Sequence, residues 1–230
     1  MSFSYAFPRP ALAVDCVVFG LRGAALSVLL IERALPPFEG SWALPGGFVH
    51  VDETIDAAAQ RELEEEAGVS ISYLEQLYTF GAVDRDPRER VVTVAYYALV
   101  RSEGMQLEAR TDARRADWFD IASLPRLAFD HARIVDVALE RLRAKVRYRP
   151  IGFGFLPDRF TLTELQRTYE AVLGRSLDKR NFRKKLLALG FVVAADGRQT
   201  GVRHRSAQLY RFDAARYDEL VADGFDEVLV

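Results

Sequence analysis

The strongest constraint on this chain is a set of fixed spacings between Gly47 and Val69. Five residues separate Gly47 from Glu53, and seven separate Glu53 from Arg61-Glu62-Leu63-Glu64-Glu65-Glu66-Ala67-Gly68-Val69. Thr54 to Ala67 is rich in Ala, Glu, Leu and Arg and closes on Gly68, which predicts a helix with a stop signal. At about 100° per residue, Glu62, Glu65 and Glu66 fall within an arc of roughly 100° on that helix, while Glu64 points to solvent. Three carboxylates on one face repel by roughly a few tenths of a kcal/mol per close pair. A divalent cation relieves that repulsion, and hard oxygen ligands suit Mg²⁺, which binds substrate phosphates as well. Such a metal neutralises phosphate charge and lowers the pKa of an attacking water. Arg61 can clamp a glutamate or a phosphate oxygen. The Gly46-Gly47 pair is expected to frame the ligand site by letting the backbone enter the helix through a conformation most residues resist. An acidic surface helix accounts for the Glu run alone, but not for Gly47, Glu53, Arg61 and Gly68 at their fixed distances.

The rest of the composition is that of a soluble globular chain. Of 230 residues 50% are apolar and 28% charged, which excludes disorder, and the net charge of −2 gives no overall sign of a polyanion binder. The single cysteine, Cys16, lies in an apolar run and reads as a buried thiol in a strand. The first ten residues lack a basic segment followed by an apolar one, so no signal peptide is expected. The apolar stretches within Ala11–Ile31 are broken by Asp15 and Arg22 and cannot span a bilayer. A cytoplasmic location is expected.

Ala11–Phe19 and Leu26–Ile31 read as strands of a hairpin around Gly20-Leu21-Arg22-Gly23. Leu74–Phe80, Val91–Val100 and Ala116–Phe119 read as further strands, and Asp130–Lys145 as a second helix with Asp130 as its cap. Strands and helices do not alternate regularly, so an α+β class is expected rather than a doubly wound sheet. Arg147–Pro157, with two prolines and two glycines, reads as a junction, with a hinge near Tyr148–Pro157. Beyond it come a helix over Thr161–Leu173, a turn at Gly174, a helix over Asp178–Leu189 and short strands at Phe191–Ala194 and Gln208–Phe212. That order predicts a winged helix-turn-helix. The expected division is 1–149 and 150–230.

Charge follows this division. Residues 158–212 carry 12 Arg and Lys against 5 Asp and Glu, whereas 1–157 carry 18 against 22 and 213–230 carry 1 against 6. In the second helix of the pair, Phe182, Leu186 and Leu189 form a core stripe. Lys179, Arg180, Asn181, Arg183 and Lys184 lie near its start, where a recognition helix meets phosphates and base edges. Asn181 can read adenine. Arg198, Arg203 and Arg205, with His204, lie on the proposed wing. A basic helix in a domain used only for dimerisation is the competing reading, but helix pair, wing and charge together favour DNA.

Other residues bear on a ligand of the first domain. Arg85 and Arg88 lie in the loop Asp84-Arg85-Asp86-Pro87-Arg88 and can reach phosphates or ribose, or belong to a solvated hairpin. His131 can contact the ligand, although a surface histidine near the helix cap is the stronger expectation. Trp118 and Phe119 read as core aromatics rather than base-stacking platforms, and His50 as exposed near the site.

The Gly47–Val69 span resembles the Nudix box, G-x5-E-x7-R-E-U-x-E-E-x-G-U with U apolar, at every defined position. The resemblance implies a mixed sheet between helices and chemistry on a nucleoside diphosphate derivative. It makes Glu62, Glu65 and Glu66 the metal-binding catalytic residues, supported by Arg61 and Glu53, with Mg²⁺ or Mn²⁺ as cofactor. With the winged helix, and with Tyr5–Pro10, Ala128–His131, Pro150–Phe153 and Leu177–Lys185, nearly the whole chain resembles the NrtR-like, Nudix-related transcriptional regulators. That family implies a homodimeric repressor of NAD-metabolism genes on a palindromic double-stranded operator, with ADP-ribose as the releasing ligand. Relatives of the same architecture regulate sugar catabolism. Many regulators of this group have an eroded box, whereas here it is complete. Two readings follow: a repressor that retains cleavage of ADP-ribose to AMP and ribose 5-phosphate, or a pyrophosphohydrolase whose C-terminal domain is vestigial or only dimerises.

Overall fold

The computed structural model describes residues 6–68, 71–101, 113–199, 206–224 and 229–230. Tyr5, Val69, Arg203, His204 and Arg205, singled out above, lie outside the described residues. The chain forms two compact units, Met1–Gly20 with Ser27–Leu139, and Leu21–Leu26 with Glu140–Val230.

The first unit is built around β1 (Ala11–Arg22), whose residues from Ala13 to Gly20 are all buried. A strand covered on both faces needs a near-continuous apolar run, and Val14, Cys16, Val17, Val18 and Phe19 supply one. A hairpin joins β1 to β2 (Ala25–Arg33), with Gly23 at φ +63 in the turn. On its other side β1 pairs in parallel with β6 (Val91–Leu99), from Ala11↔Val91 to Phe19↔Leu99. β5 (Tyr73–Phe80) runs antiparallel to β6 at the edge. Antiparallel β7 (Ala113–Asp120) and the two-residue β3 (Trp42–Ala43) pair with β2, and β4 (Gly46–Phe48) pairs with β1. The sheet is therefore mixed, as the resemblance implied.

Helix α1 (Ile55–Ala67) begins at Thr54, whose hydroxyl accepts from the Ala57 amide at 3.1 Å, and ends at left-handed Gly68. Ala58, Ala59 and Leu63 pack it onto Val14, Cys16 and Val18, and this burial leaves the carboxylates no choice of face. Helix α2 (His131–Lys145) buries Ile134, Val135, Ala138 and Leu142.

In the second unit, α3 (Leu162–Leu173) opens with a reciprocal cap between Thr161 and Glu164 and stops at left-handed Gly174. Helix α4 (Lys179–Ala188) is capped by Asp178, and β8 (Val192–Arg198) pairs antiparallel with β9 (Gln208–Phe212) to form the wing. The structure adds two elements that the sequence does not announce. Within the expected junction, Pro150–Phe155 forms a 3-10 helix that buries Gly152, Phe153 and Phe155. Phe153 stacks on Phe212 at 4.7 Å and approaches Phe160 at 5.5 Å, so the prolines and glycines here mark a packed turn. Also, α5 (Ala214–Ala222) follows the wing, and its Tyr217 meets Phe191 edge-on. Among the described residues, no helix is long and apolar enough to cross a membrane.

Candidate functional site

The carboxylates of α1 stand over the short strand β4. Glu62 and Glu66 are buried, whereas Glu65 and Glu64 are exposed. Arg61 is the hub of the cluster. Its guanidinium donates to Glu53 at 3.0 and 2.8 Å, to Glu62 at 2.7 Å, to Glu65 at 3.2 Å and to the Phe48 carbonyl at 3.2 Å. The hydrogen bonds from Arg61, helped by the His50 amide, hold the Glu53 carboxyl down at about 2. Burial pushes Glu62 the other way, above the ordinary carboxylate range, against the pull of Arg61.

β4 forms the floor, and its glycines act differently from the sequence expectation. They lie in a strand well before the first turn of α1, so they do not lead the backbone into the helix. They are needed for close approach. A Cβ on Gly47 would stand 2.2 Å from Glu62 Oε1, and one on Gly46 would stand 2.2 Å from the Val14 carbonyl oxygen. The Gly46 amide donates to Glu66 Oε2 at 2.8 Å. His50 is exposed beside the cluster, 3.7 Å from Glu53.

Among the described residues, no three His, Cys, Asp or Glu side chains converge to hold a metal as they stand. Arg61 reaches between Glu62 and Glu65 instead. The donors on that helix face are all carboxylate oxygens, which is the chemistry a hard divalent cation takes. The residues fit such an ion once Arg61 gives up its hold on Glu62 and Glu65.

A cleft of about 380 Å³ opens over this cluster, lined by Arg61, Glu62, Glu65 and Glu66 together with Arg33 and Arg88. A smaller cavity of about 60 Å³ shares Arg33, Gly46, Gly47, Phe48 and Arg88 with it and reaches inward to Asp15, Arg85 and His131. Arg33 lies over the Phe129 ring at 4.9 Å and Arg88 over Phe48 at 5.6 Å. Arg88 also pairs with Asp86 at 2.7 Å.

Arg85 and His131 depart from their expected surroundings. Arg85 is no solvated loop residue: only 8% exposed, it bridges Asp15 at 3.0 Å and Asp130 at 2.7 Å. Asp130, expected as a helix cap, takes Arg85 on both carboxylate oxygens. His131 is 4% exposed rather than a surface group. Its Nδ1 accepts from the Leu44 amide at 2.9 Å, so its Nε2 faces Asp15 Oδ1 at 3.3 Å as the donor. Burial opposes the charge on Asp15, but His131 and Arg85 outweigh it and hold the carboxyl at about 2. Sequence reasoning missed Asp15, although an acid inside an apolar strand is the signal of a buried, partnered group. Trp118 packs against the α1-side core and Phe119 against Trp42 at 4.6 Å.

In the second unit, Lys179, Arg180, Asn181 and Lys184 are exposed on the first turns of α4, away from buried Phe182 and Leu186. Arg183 departs from this set. It turns back to donate to Thr163 Oγ1 on α3 at 2.8 Å, so one of its donors is spent on holding the two helices together. Arg198 is exposed on the wing and bonds the Ser206 carbonyl at 3.3 Å.

Comparison with known proteins agrees with this organisation. Residues 9–138 match the family described as NUDIX domain, and residues 152–212 match the NrtR DNA-binding winged helix domain. The chain is 38% identical over 216 residues to the ADPR responsive transcriptional repressor NtrR of Acinetobacter baylyi, covering 92% of this chain and 86% of that protein. It is 40% identical over 127 residues to an ADP-ribose pyrophosphatase of Methanocaldococcus jannaschii, covering 55% of this chain and 72% of the enzyme. Its structure resembles Shewanella oneidensis NrtR complexed with a 27mer DNA, with a TM-score of 0.79 and 34% identity over 90% of this chain and 95% of that one.

Proposed function

Since the chain belongs to the NrtR family of Nudix-related transcriptional regulators, we propose that it is a repressor that leaves its DNA operator when ADP-ribose binds its Nudix domain. The observation that carries this reading is the pairing, in one chain, of a cleft floored by Gly46 and Gly47 with a helix that exposes Lys179, Arg180, Asn181 and Lys184. The Nudix domain takes residues 1–149 and the winged helix 150–230. A homodimer on a palindromic, double-stranded operator near NAD-metabolism genes, in the cytoplasm, is the arrangement that accompanies it.

The cleft carries both signs of charge that such a ligand calls for. Arg33 and Arg88 supply positive charge for a diphosphate, with Phe48 and Phe129 as flat faces beside them. Glu62, Glu65 and Glu66 would hold Mg²⁺ or Mn²⁺, which when bound neutralises phosphate charge and makes a bound water more acidic. Arg61 fixes Glu53, and giving up its contacts to Glu62 and Glu65 would free those two carboxylates for the ion. Because the box is complete, we further propose that slow hydrolysis of ADP-ribose to AMP and ribose 5-phosphate is retained.

Fluorescence anisotropy on labelled DNA from upstream of the chain's own gene and its neighbours, titrated with ADP-ribose in chelator, tests the reading. Tight, salt-sensitive binding that ADP-ribose releases is expected. No preference over random DNA would turn the reading to a pyrophosphohydrolase, the function that the intact carboxylate cluster supports by itself.

A further inference from the structure

The Gly46 amide and the Leu44 amide, two residues apart on one segment, are anchored in opposite directions. Gly46 donates to Glu66 on α1 at 2.8 Å, and Leu44 donates to His131 at the start of α2 at 2.9 Å. From His131 the chain of contacts runs to Asp15 at 3.3 Å, to Arg85 at 3.0 Å and to Asp130 at 2.7 Å, which precedes α2. We propose that Asp15 and His131 are positioning residues for the ligand response, the middle of a relay that links occupancy of the carboxylate cluster to the first turn of α2. The proposal rests on reading the chain as ADP-ribose-responsive.

Three properties suit this network to the task. Asp15, Arg85 and His131 are buried and Asp130 is half-buried, and a buried ion pair tolerates few geometries, because a displaced partner leaves an uncompensated charge. The segment lies hard against β1 at Gly46, where a Cβ would stand 2.2 Å from the Val14 carbonyl oxygen. The small cavity opens onto Asp15, Arg85 and His131 from residues that also line the larger cleft, so a ligand in the cleft stands next to the relay. Glu66 would give up the Gly46 amide if it turned to hold a cation, and the amide would be free to donate to an anionic ligand oxygen, so either event would change one anchor of the segment. The other anchor is the His131 ring. Ligand then favours one arrangement of α2 to the extent that it binds that arrangement more tightly. Both His131 nitrogens are engaged within the protein, so the residue acts on the ligand through the segment.

The test compares wild type with His131→Asn, whose amide oxygen can still accept from Leu44 but stops short of Asp15. DNA release by ADP-ribose in chelator is measured by anisotropy, and ADP-ribose affinity by calorimetry. The expected result is release weakened about tenfold more than affinity, since a lost coupling lowers the one without the other. Release and affinity falling together, or neither changing, would overturn the relay. If His131→Asn does not fold, Asp130→Asn at the outer end of the network takes its place. Should ADP-ribose fail to release wild type, the functional reading has failed, and the relay is judged by hydrogen exchange over residues 131–136 on adding Mg²⁺ alone. A response in wild type that the variant lacks keeps it, and an equal response or none in both overturns it.

Discussion

Arg61 grips Glu53 with two parallel hydrogen bonds, Nε to Oε2 at 3.0 Å and Nη2 to Oε1 at 2.8 Å. The planar fork matches the carboxylate, and the same guanidinium still reaches Glu62 and Glu65. Lysine cannot reproduce that grip. In Arg61→Lys the Glu53 carboxyl, held at about 2 in wild type, is expected to rise toward the ordinary range. Carbon-detected NMR titration of the glutamate side chains reads the change, and an unmoved Glu53 would show that Arg61 is not its partner in solution.

Gly46→Ala and Gly47→Ala separate fold from site. The added methyl at Gly46 meets the backbone of Val14, which cannot turn aside, so that variant loses about 1–3 kcal/mol of stability in denaturant unfolding. At Gly47 the methyl meets the Glu62 carboxylate, which can rotate away. Gly47→Ala is therefore expected to stay near wild-type stability while ADP-ribose affinity falls by about tenfold, as calorimetry would record.

Asp15 makes stability depend on acid. Its carboxyl moves from 3.8 when unfolded to about 2 when folded, so its contribution is complete above 3.8 and is lost as pH falls toward 2. A shift of that size corresponds to about 2 kcal/mol. Asp15→Asn is expected to cost about 3 kcal/mol at neutral pH, because Arg85 stays buried with one partner fewer. Its urea midpoint should then change less than that of wild type between pH 5 and about pH 2.5, where wild type gives up the Asp15 contribution.

On α4, Arg180→Glu is expected to abolish DNA binding at moderate salt while leaving any ADP-ribose hydrolysis unchanged. Lys179→Ala or Lys184→Ala should each lower the salt dependence of log Kd by about one, if each neutralises one phosphate. Arg183→Ala should chiefly lower the melting temperature, since Arg183 ties α4 to Thr163. Anisotropy at several salt concentrations, with scanning calorimetry, distinguishes these effects.

What the chain shows of itself before folding depends on how local the cause is. Helix α1 is legible because its cap, its stop and its packing face all lie between Thr54 and Gly68. The box is legible for the same reason. Strands β3 and β4, of two and three residues, have no periodicity to read and exist only because β2 and β1 lie alongside. The burial of Arg85 and His131 is invisible for a related reason. Their partner Asp15 is 70 residues from Arg85 along the chain, and a charged loop looks solvated until the fold supplies its counterion. The 3-10 helix Pro150–Phe155 is not legible because Phe153 is seated by Phe160 and Phe212, rings further along the chain that no local pattern connects to it.

The seating of Phe153 in the aromatic cluster of the wing bears on how this protein can be recombined. The seam of a chimaera belongs before Pro150. Cutting after Phe155, where the prolines and glycines invite a splice, would strip the grafted reader of the ring that stacks on Phe212. A reader transplanted with Pro150–Phe155 attached carries its own keystone to whatever sensor is placed ahead of it.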